Sequence, residues 1–261
     1  MSDDFEITDE MVTSISVPES DKIFTGAYQY ITHGSVYCDE EFEIGRDNKE
    51  LNFTFHSEIH SRTSTGELLK STVDFIVNKN YIPLLVRVKK ELGNKKCLEQ
   101  YSLDYKTNLV EYRFDNFLDE LQIVEFSVPG RFHIATPATS CSLLFVLAKK
   151  LSQTGKTTYI SFRSPNHWKY TGPPYQVEIG MEKANTMNQV LKLGNNVKVN
   201  ATHWKLFEEE KDSSVIGRAT KNENPPLDIY LSKHMSLPYL ISPNPDTQVI
   251  IKYLNELEPD A

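Results

Sequence analysis

The sequence has no long hydrophobic run. Its longest strongly apolar stretch is Leu143–Ala148, far short of the roughly 20 residues that a membrane-spanning helix needs. Cysteine is scarce. Cys38, Cys97 and Cys141 are odd in number and irregularly spaced, which reads as reduced thiols and not as a disulfide framework. The N-terminus, MSDDFEITDEMVTSISVPESDK, lacks a basic start followed by an apolar run, so it does not read as a secretory signal. With Met1 as the native start, the expected location is the cytoplasm. The sequons at Asn52 and Asn200 then carry no glycan. Positive charge is in deficit too. Lys and Arg number 28 against 36 Asp and Glu, for a formal net charge of -8. An acidic surface repels phosphate backbones, which argues against a nucleic-acid partner.

Familiar catalytic motifs are also missing. Gly-x-Ser-x-Gly is absent, so a hydrolase nucleophile elbow is not supported. Gly155-Lys156-Thr157 resembles the end of a phosphate-binding loop. Lys150 stands where that loop needs its first glycine, and the segment leads into a strand pattern where a helix is required. There is no tandem repeat, and no cofactor is expected.

What the chain does have is strand patterning. It has 261 residues, 39% hydrophobic and 11% aromatic, enough for one large β domain with its own core. Residues 1–21 read as an acidic arm, extended or disordered, and 22–261 as a single β-rich domain. Strand-like segments cover 23–32, 35–45, 50–61, 68–78, 81–91, 96–105, 109–114 and 120–127. Turn formers such as Thr65-Gly66, Asn78-Lys79-Asn80 and Gly93-Asn94 separate them. Links this short join antiparallel neighbours, so the first half is expected to be a meander. In LNFTFHSEIH, Leu51, Phe53, Phe55 and Ile59 share one face, and His56, Glu58 and His60 share the other. That is a sheet covered on one side. Strand patterns return at 156–163, 174–182, 187–193, 196–208, 227–232, 236–242 and 247–254, with longer polar links at 164–173 and 209–226.

Between the halves lies GRFHIATPATSCSLLFVLAKKL, Gly130–Leu151. Arg131–Ala135 reads as a short strand that Thr136-Pro137 breaks. Thr139 or Ser140 then suits the cap of a helix over 139–152. Cys141–Ala148 is apolar almost all round, Lys149 and Lys150 suit the C-terminal dipole, and Gly155 suits the stop. A helix apolar on most sides is buried on most sides. The expected fold is mainly β: a curved antiparallel sheet, a half-barrel or open barrel, wrapped around one central apolar helix.

Candidate functional residues follow from this frame. His56, Glu58 and His60 lie along one strand face at steps of about 6.8 Å. No third ligand is signalled, so the face reads as polar lining and no metal is expected. Arg131 and His133 share a face before the helix. They suit an anionic head group, and His133 is the best candidate for a general base. Cys141, between Ser140 and Ser142, falls on an apolar face and reads as an inert thiol. Trp168, Tyr170, Tyr175 and Trp204 are aromatics that suit the mouth of a pocket.

Two passages carry a resemblance. ATPATSCSLLFVLAKKL looks like a helix between sheet halves. Leu227-Asp228-Ile229-Tyr230-Leu231-Ser232 followed by Leu237-Pro238-Tyr239-Leu240-Ile241 looks like a closing hairpin, and Asp74–Val77 to Tyr81–Pro83 fits the same scheme. Together they resemble uncharacterised bacterial β-rich half-barrel proteins, related in shape to LolA-like lipoprotein carriers, over roughly 25–255. The resemblance implies a curved sheet closed by a helix and brings no catalytic residues with it.

The function expected is binding of an apolar or amphipathic small molecule, lipid-like or polyketide-like, in a half-barrel pocket. Its ligand-binding residues would be Arg131, His133, His56, Trp168, Tyr175 and Trp204. Two alternatives stand beside it. One is a cofactor-independent cytosolic enzyme of a biosynthetic pathway, such as a cyclase, isomerase or lyase, using the same pocket. The other is an interaction scaffold without a pocket.

Overall fold

The computed structural model describes residues 20–143, 155–184, 189–193, 198–208, 225–232 and 237–257. The strands of the first half are Asp21–Thr32 (β1), Ser35–Arg46 (β2), Phe53–Arg62 (β3), Leu68–Val77 (β4), Pro83–Leu92 (β5), Lys95–Asp104 (β6), Leu109–Asp115 (β7) and Gln122–Ser127 (β8). The second half adds Phe132–Ile134 (β9), Lys156–Arg163 (β10), Tyr175–Lys183 (β11), Gln189–Lys192 (β12), Lys198–Glu208 (β13), Leu227–Ser232 (β14), Pro238–Asn244 (β15) and Thr247–Glu256 (β16). All of them belong to one sheet.

Strands β1 to β8 form the expected meander, each antiparallel to the next. Turn chemistry sets these hairpins. His33 and Gly34 both have positive φ, 49 and 76, the backbone that a two-residue hairpin loop requires. On its other side β1 pairs with β16, and the sheet continues through β15, β14, β13, β11 and β10 to β9. β12 adds to β13 beside this path. The β9–β10 pair is parallel.

The sheet curls until its two ends approach. Phe126 on β8 and Phe162 on β10 bring their rings to 4.8 Å, and Phe75 on β4 lies 5.8 Å from the ring of His133 on β9. Register shifts in β1 at Ala27/Tyr28 and Tyr30/Ile31 help the curl, since a bulge bends its strand and adds twist. Period-2 alternation fills the hollow. Phe42, Phe55, Val73, Phe75, Val88, Tyr101, Tyr112 and Phe114 are buried together from successive strands. Gly26 makes room for this packing, because a Cβ there would overlap the Phe42 ring. A smaller cluster of Met181, Trp204, Ile229 and Leu231 holds the second half.

One expectation is corrected. Among the described residues there is no helix, and the start of the expected central apolar helix, 139–143, is not helical. Where it was to begin, Thr139–Cys141 forms a turn closed by a Ser142 N–H to Thr139 carbonyl bond of 3.1 Å. Leu143 follows at φ 51, left-handed backbone through which a right-handed helix cannot run. The Glu40 carboxylate described below holds the start of this segment. Ala138, Cys141 and Leu143 are nonetheless buried in the core. The rest of the expected helix, 144–152, lies outside the described residues, as do 1–19 of the acidic arm and 209–224 of the long polar link. Among the described residues no helix is long and apolar enough to cross a membrane.

Candidate functional site

Two acids interrupt the apolar inner face. Glu40 follows the alternation of Cys38, Phe42 and Ile44 on β2, and Glu99 that of Cys97 and Tyr101 on β6; both are buried. Their surroundings differ. The backbone N–H groups of Thr139 and Ser140 donate to Glu40 at 2.8 and 3.0 Å. The hydroxyls of Tyr30 and Ser57 donate at 2.6 and 3.2 Å, and Ser140 Oγ lies 2.5 Å from Ser57 Oγ. All four donors to the carboxylate are neutral. Burial and the neighbouring Glu40 charge push the Tyr30 hydroxyl far above its ordinary pKa, and they push the Cys38 thiol up to about 12. This network fixes the 135–143 segment inside the sheet.

Glu99 instead pairs with Lys90 Nζ at 2.8 Å and accepts from the Tyr112 hydroxyl at 3.0 Å. The loop after β10 closes over it. Asn166 donates to Tyr112 Oη at 2.8 Å, and its side-chain oxygen accepts the Thr171 N–H at 2.6 Å. The Cys97 thiol donates to the His167 carbonyl and Asn116 Nδ2 to the Trp168 carbonyl, each at 3.1 Å. Side chains of β6 and β7 and of the link after β7 thus hold the 164–172 loop against the hollow.

Between this loop, the 135–137 segment and the inner face of β4–β6 lies a cavity of about 430 Å³. Leu69, Val88, Pro137 and Trp168 give it apolar wall; Ser71, Lys90, Glu99 and Arg163 give it polar wall. A second cavity of about 160 Å³ adjoins it through Ala135, Thr136 and Arg163, and is otherwise walled by residues such as Ile179, Leu206, Leu227, Ile229 and Ile241. A third, of about 360 Å³, shares Arg163, Ile179, Leu206 and Leu227 with the second. Arg163 borders all three, and it is ion-paired with Glu208.

Three buried hydroxyls on these walls have no hydrogen-bond partner among the described residues. Tyr101 Oη and Thr136 Oγ1 belong to residues of the main cavity, and Ser142 Oγ to the second. Burial, and after it the neighbouring Glu99 charge, hold the Tyr101 hydroxyl well above its ordinary pKa.

The residues picked from sequence separate into groups. Trp168 and Tyr175 border the main cavity, and His133 borders the second. Arg131 is exposed at the start of β9 and lines none of the three. The Arg131–His133 pair is therefore not assembled around a cavity; Arg163 is the guanidinium that borders His133's. His56 lies on the outer face, its Nδ1 2.7 Å from Asp74, and that bond raises its pKa. Trp204 packs in the second-half cluster with its Nε1–H on Thr202 Oγ1 at 2.8 Å. The Tyr170 ring lies tilted against Phe114, with centroids 6.1 Å apart. Cys141 is buried, and desolvation drives its thiol pKa upward.

His133 is held by structure. Its Nε2 lies 3.2 Å from the Cys141 carbonyl, so this nitrogen carries the proton, and Nδ1 lies 3.4 Å from Ser161 Oγ. Burial lowers its pKa to about 4, so it is neutral near pH 7. Sequence reasoning missed Glu40, Lys90, Glu99, Tyr101 and Arg163. The signal was available for the two acids, since each breaks a run of alternate apolar residues.

Similarity to known proteins adds the fold alone. No family model matches the sequence, and no match is found among curated proteins. Among solved structures, a β-barrel-like protein of the domain of unknown function DUF1849 from Brucella abortus is similar. Its TM-score is 0.56 at 7% identity, over 92% of this chain and 100% of that chain. The chain is thus a β-barrel-like protein.

Proposed function

We propose that the curled sheet binds an elongated amphipathic small molecule in its interior. The observation that carries this is a set of three neighbouring cavities that share lining residues, with aliphatic and aromatic side chains such as Leu69, Trp168, Ile179 and Leu227 on their walls. Concave, mostly apolar space with a few placed polar groups is the usual form of a small-molecule site. Trp168 and exposed Tyr175 stand at the main cavity, where a ligand's apolar part would meet aromatic surface. His133, neutral and committed to the Cys141 carbonyl, serves to position the 135–143 wall.

Calorimetric titration with amphiphiles of increasing chain length tests it. Affinity should rise with chain length and then level off as the cavities fill. Ala135→Leu narrows the junction of the first two cavities, and Leu227→Trp that of the last two. Each should weaken the longest amphiphile most while the thermal transition stays sharp. Binding that ignores both substitutions, or no binding by any chain length, would overturn the reading.

A further inference from the structure

We infer that the end of the meander where the main cavity lies docks on a lipid surface, the face of a bilayer of zwitterionic lipids. This goes beyond the reading above and rests on it only for the cargo, an amphipathic molecule that enters or leaves the interior there.

Antiparallel register defines that end. The β1–β2, β3–β4 and β5–β6 turns and the β7–β8 link all fall on it. So do the main-cavity residues Leu69 and Ser71 near the start of β4 and Lys90 near the end of β5. Val36 and Tyr37 lie at the start of β2, Leu68 opens β4, and Phe117, Leu118 and Leu121 occupy the β7–β8 link. All six are exposed, Leu118 by 85%. Among the described residues, the links at the opposite end of the meander expose two large apolar side chains, Leu51 and Tyr105. The chain itself holds the 116–121 tip in place. Asp115 accepts the Phe117 N–H at 2.7 Å, and Asn116 Oδ1 accepts those of Leu118 and Asp119 at 3.2 and 2.9 Å. Asn116 Nδ2 also donates to the Trp168 carbonyl, so one side chain ties the apolar tip to the cavity wall.

Apolar side chains exposed singly need no explanation, but six gathered at one end do. A bilayer suits them better than a protein groove. Strands about 4.8 Å apart set the starts of β2 and β4 and the β7–β8 link about 10 to 15 Å from one another. The tips are therefore separate projections, which a fluid surface accepts without matching shape. Charge points the same way. The links at this end carry Glu67, Asp119 and Glu120 and no Lys or Arg, and Lys95 and Lys96 at the start of β6 bring it close to neutral in a chain of net charge -8. An end without excess positive charge gains nothing from anionic lipid.

The test is flotation of the full chain with vesicles of phosphatidylcholine, alone or mixed with phosphatidylglycerol. The chain should float with both and be indifferent to salt, because apolar insertion is not screened. Phe117→Asn together with Leu118→Gln should lower vesicle affinity at least about tenfold, the scale of two large apolar side chains kept from burial. Leu51→Asn, at the other end, should leave it unchanged. Asn suits the left-handed backbone at both Phe117 and Leu51, φ 59 in each, so both variants should unfold at the parent's temperature. Titration of the paired variant with soluble amphiphiles, without vesicles, should match the parent, which separates a failure of docking from a failure of the cavity reading. No flotation, flotation only with the anionic lipid and lost in salt, or an equal loss in Leu51→Asn would overturn the inference. So would a dimer in sedimentation that the paired substitution dissolves while vesicles go unbound.

Discussion

Glu40 and Glu99 are both acids on an apolar strand face, both almost completely buried, yet they sit in opposite kinds of site. Around Glu40 every partner is a neutral group of the chain itself, and two of them are backbone N–H groups of the 139–140 turn. Around Glu99 stand a lysine, a tyrosine and a cavity. The first network is closed and leaves nothing for a ligand. The second borders empty space, and the half-exposed Arg163–Glu208 ion pair stands on the same cavity's rim. Burial of an acid therefore does not mark a functional site by itself. What marks it is empty space beside the polar groups.

Substitutions can break this comparison at either end. Glu40→Ala should have the largest effect. It strands two buried backbone donors, and the expected loss is about 3–5 kcal/mol of unfolding free energy in urea. A loss under about 1 kcal/mol would mean that the turn is held by its apolar packing and not by the carboxylate.

The wall that Glu40 holds in place is also bonded, through the Cys141 carbonyl, to His133, whose folded-state pKa is depressed to about 4. The unfolded chain, at about 6.5, then binds the proton more readily. Stability from this group is full above about pH 6.5, and it is lost as pH falls towards 4, by up to about 3 kcal/mol in total. Unfolding measured across that range should be less pH-dependent in His133→Gln than in the parent. An unchanged slope would show that His133 is solvated.

At the Glu99 end the effect on stability should be small. Replacing Lys90 by Met together with Glu99 by Gln removes a buried pair as a unit, and such replacements cost within about 1 kcal/mol. Thermal unfolding should barely move. A large destabilisation here would make Glu99 a second latch and erase the contrast with Glu40. Smallest of all is the outer face. Asp74→Asn removes the partner that raises the pKa of His56, whose contribution is present below about pH 6.5 and fades as pH rises through the raised value. His56 is 40% exposed, so solvent screening keeps the change under about 1 kcal/mol. The clean readout is the imidazole titration by NMR, which should shift to lower pH.

The strands were legible because one signal repeats along the chain. Alternation in segments such as Phe53–Ile59, punctuated by Gly66, Asn78 and Gly93, corresponds to β3 and its neighbours. The 139–143 segment was misread because its hydroxyl-rich start is a genuine helix cap locally. The carboxylate that claims its N–H groups is about a hundred residues away, at position 40. Trp168 and Tyr175 were picked as pocket aromatics and do border the cavity. Arg163 was missed because its importance comes from the curl, which sets the end of β10 between three cavities. Arg131, two residues before His133 on a face drawn by simple alternation, stays at the surface because β9 begins only at Phe132.

The most direct test of interior binding is a crystal structure of the full chain grown with laurate. The account predicts electron density for the laurate chain inside the curled sheet, lying in the main cavity beside Trp168 and reaching past Ala135 towards Ile179 and Leu227. Laurate seated only on the outer surface, with the interior walls closed against one another, would contradict it.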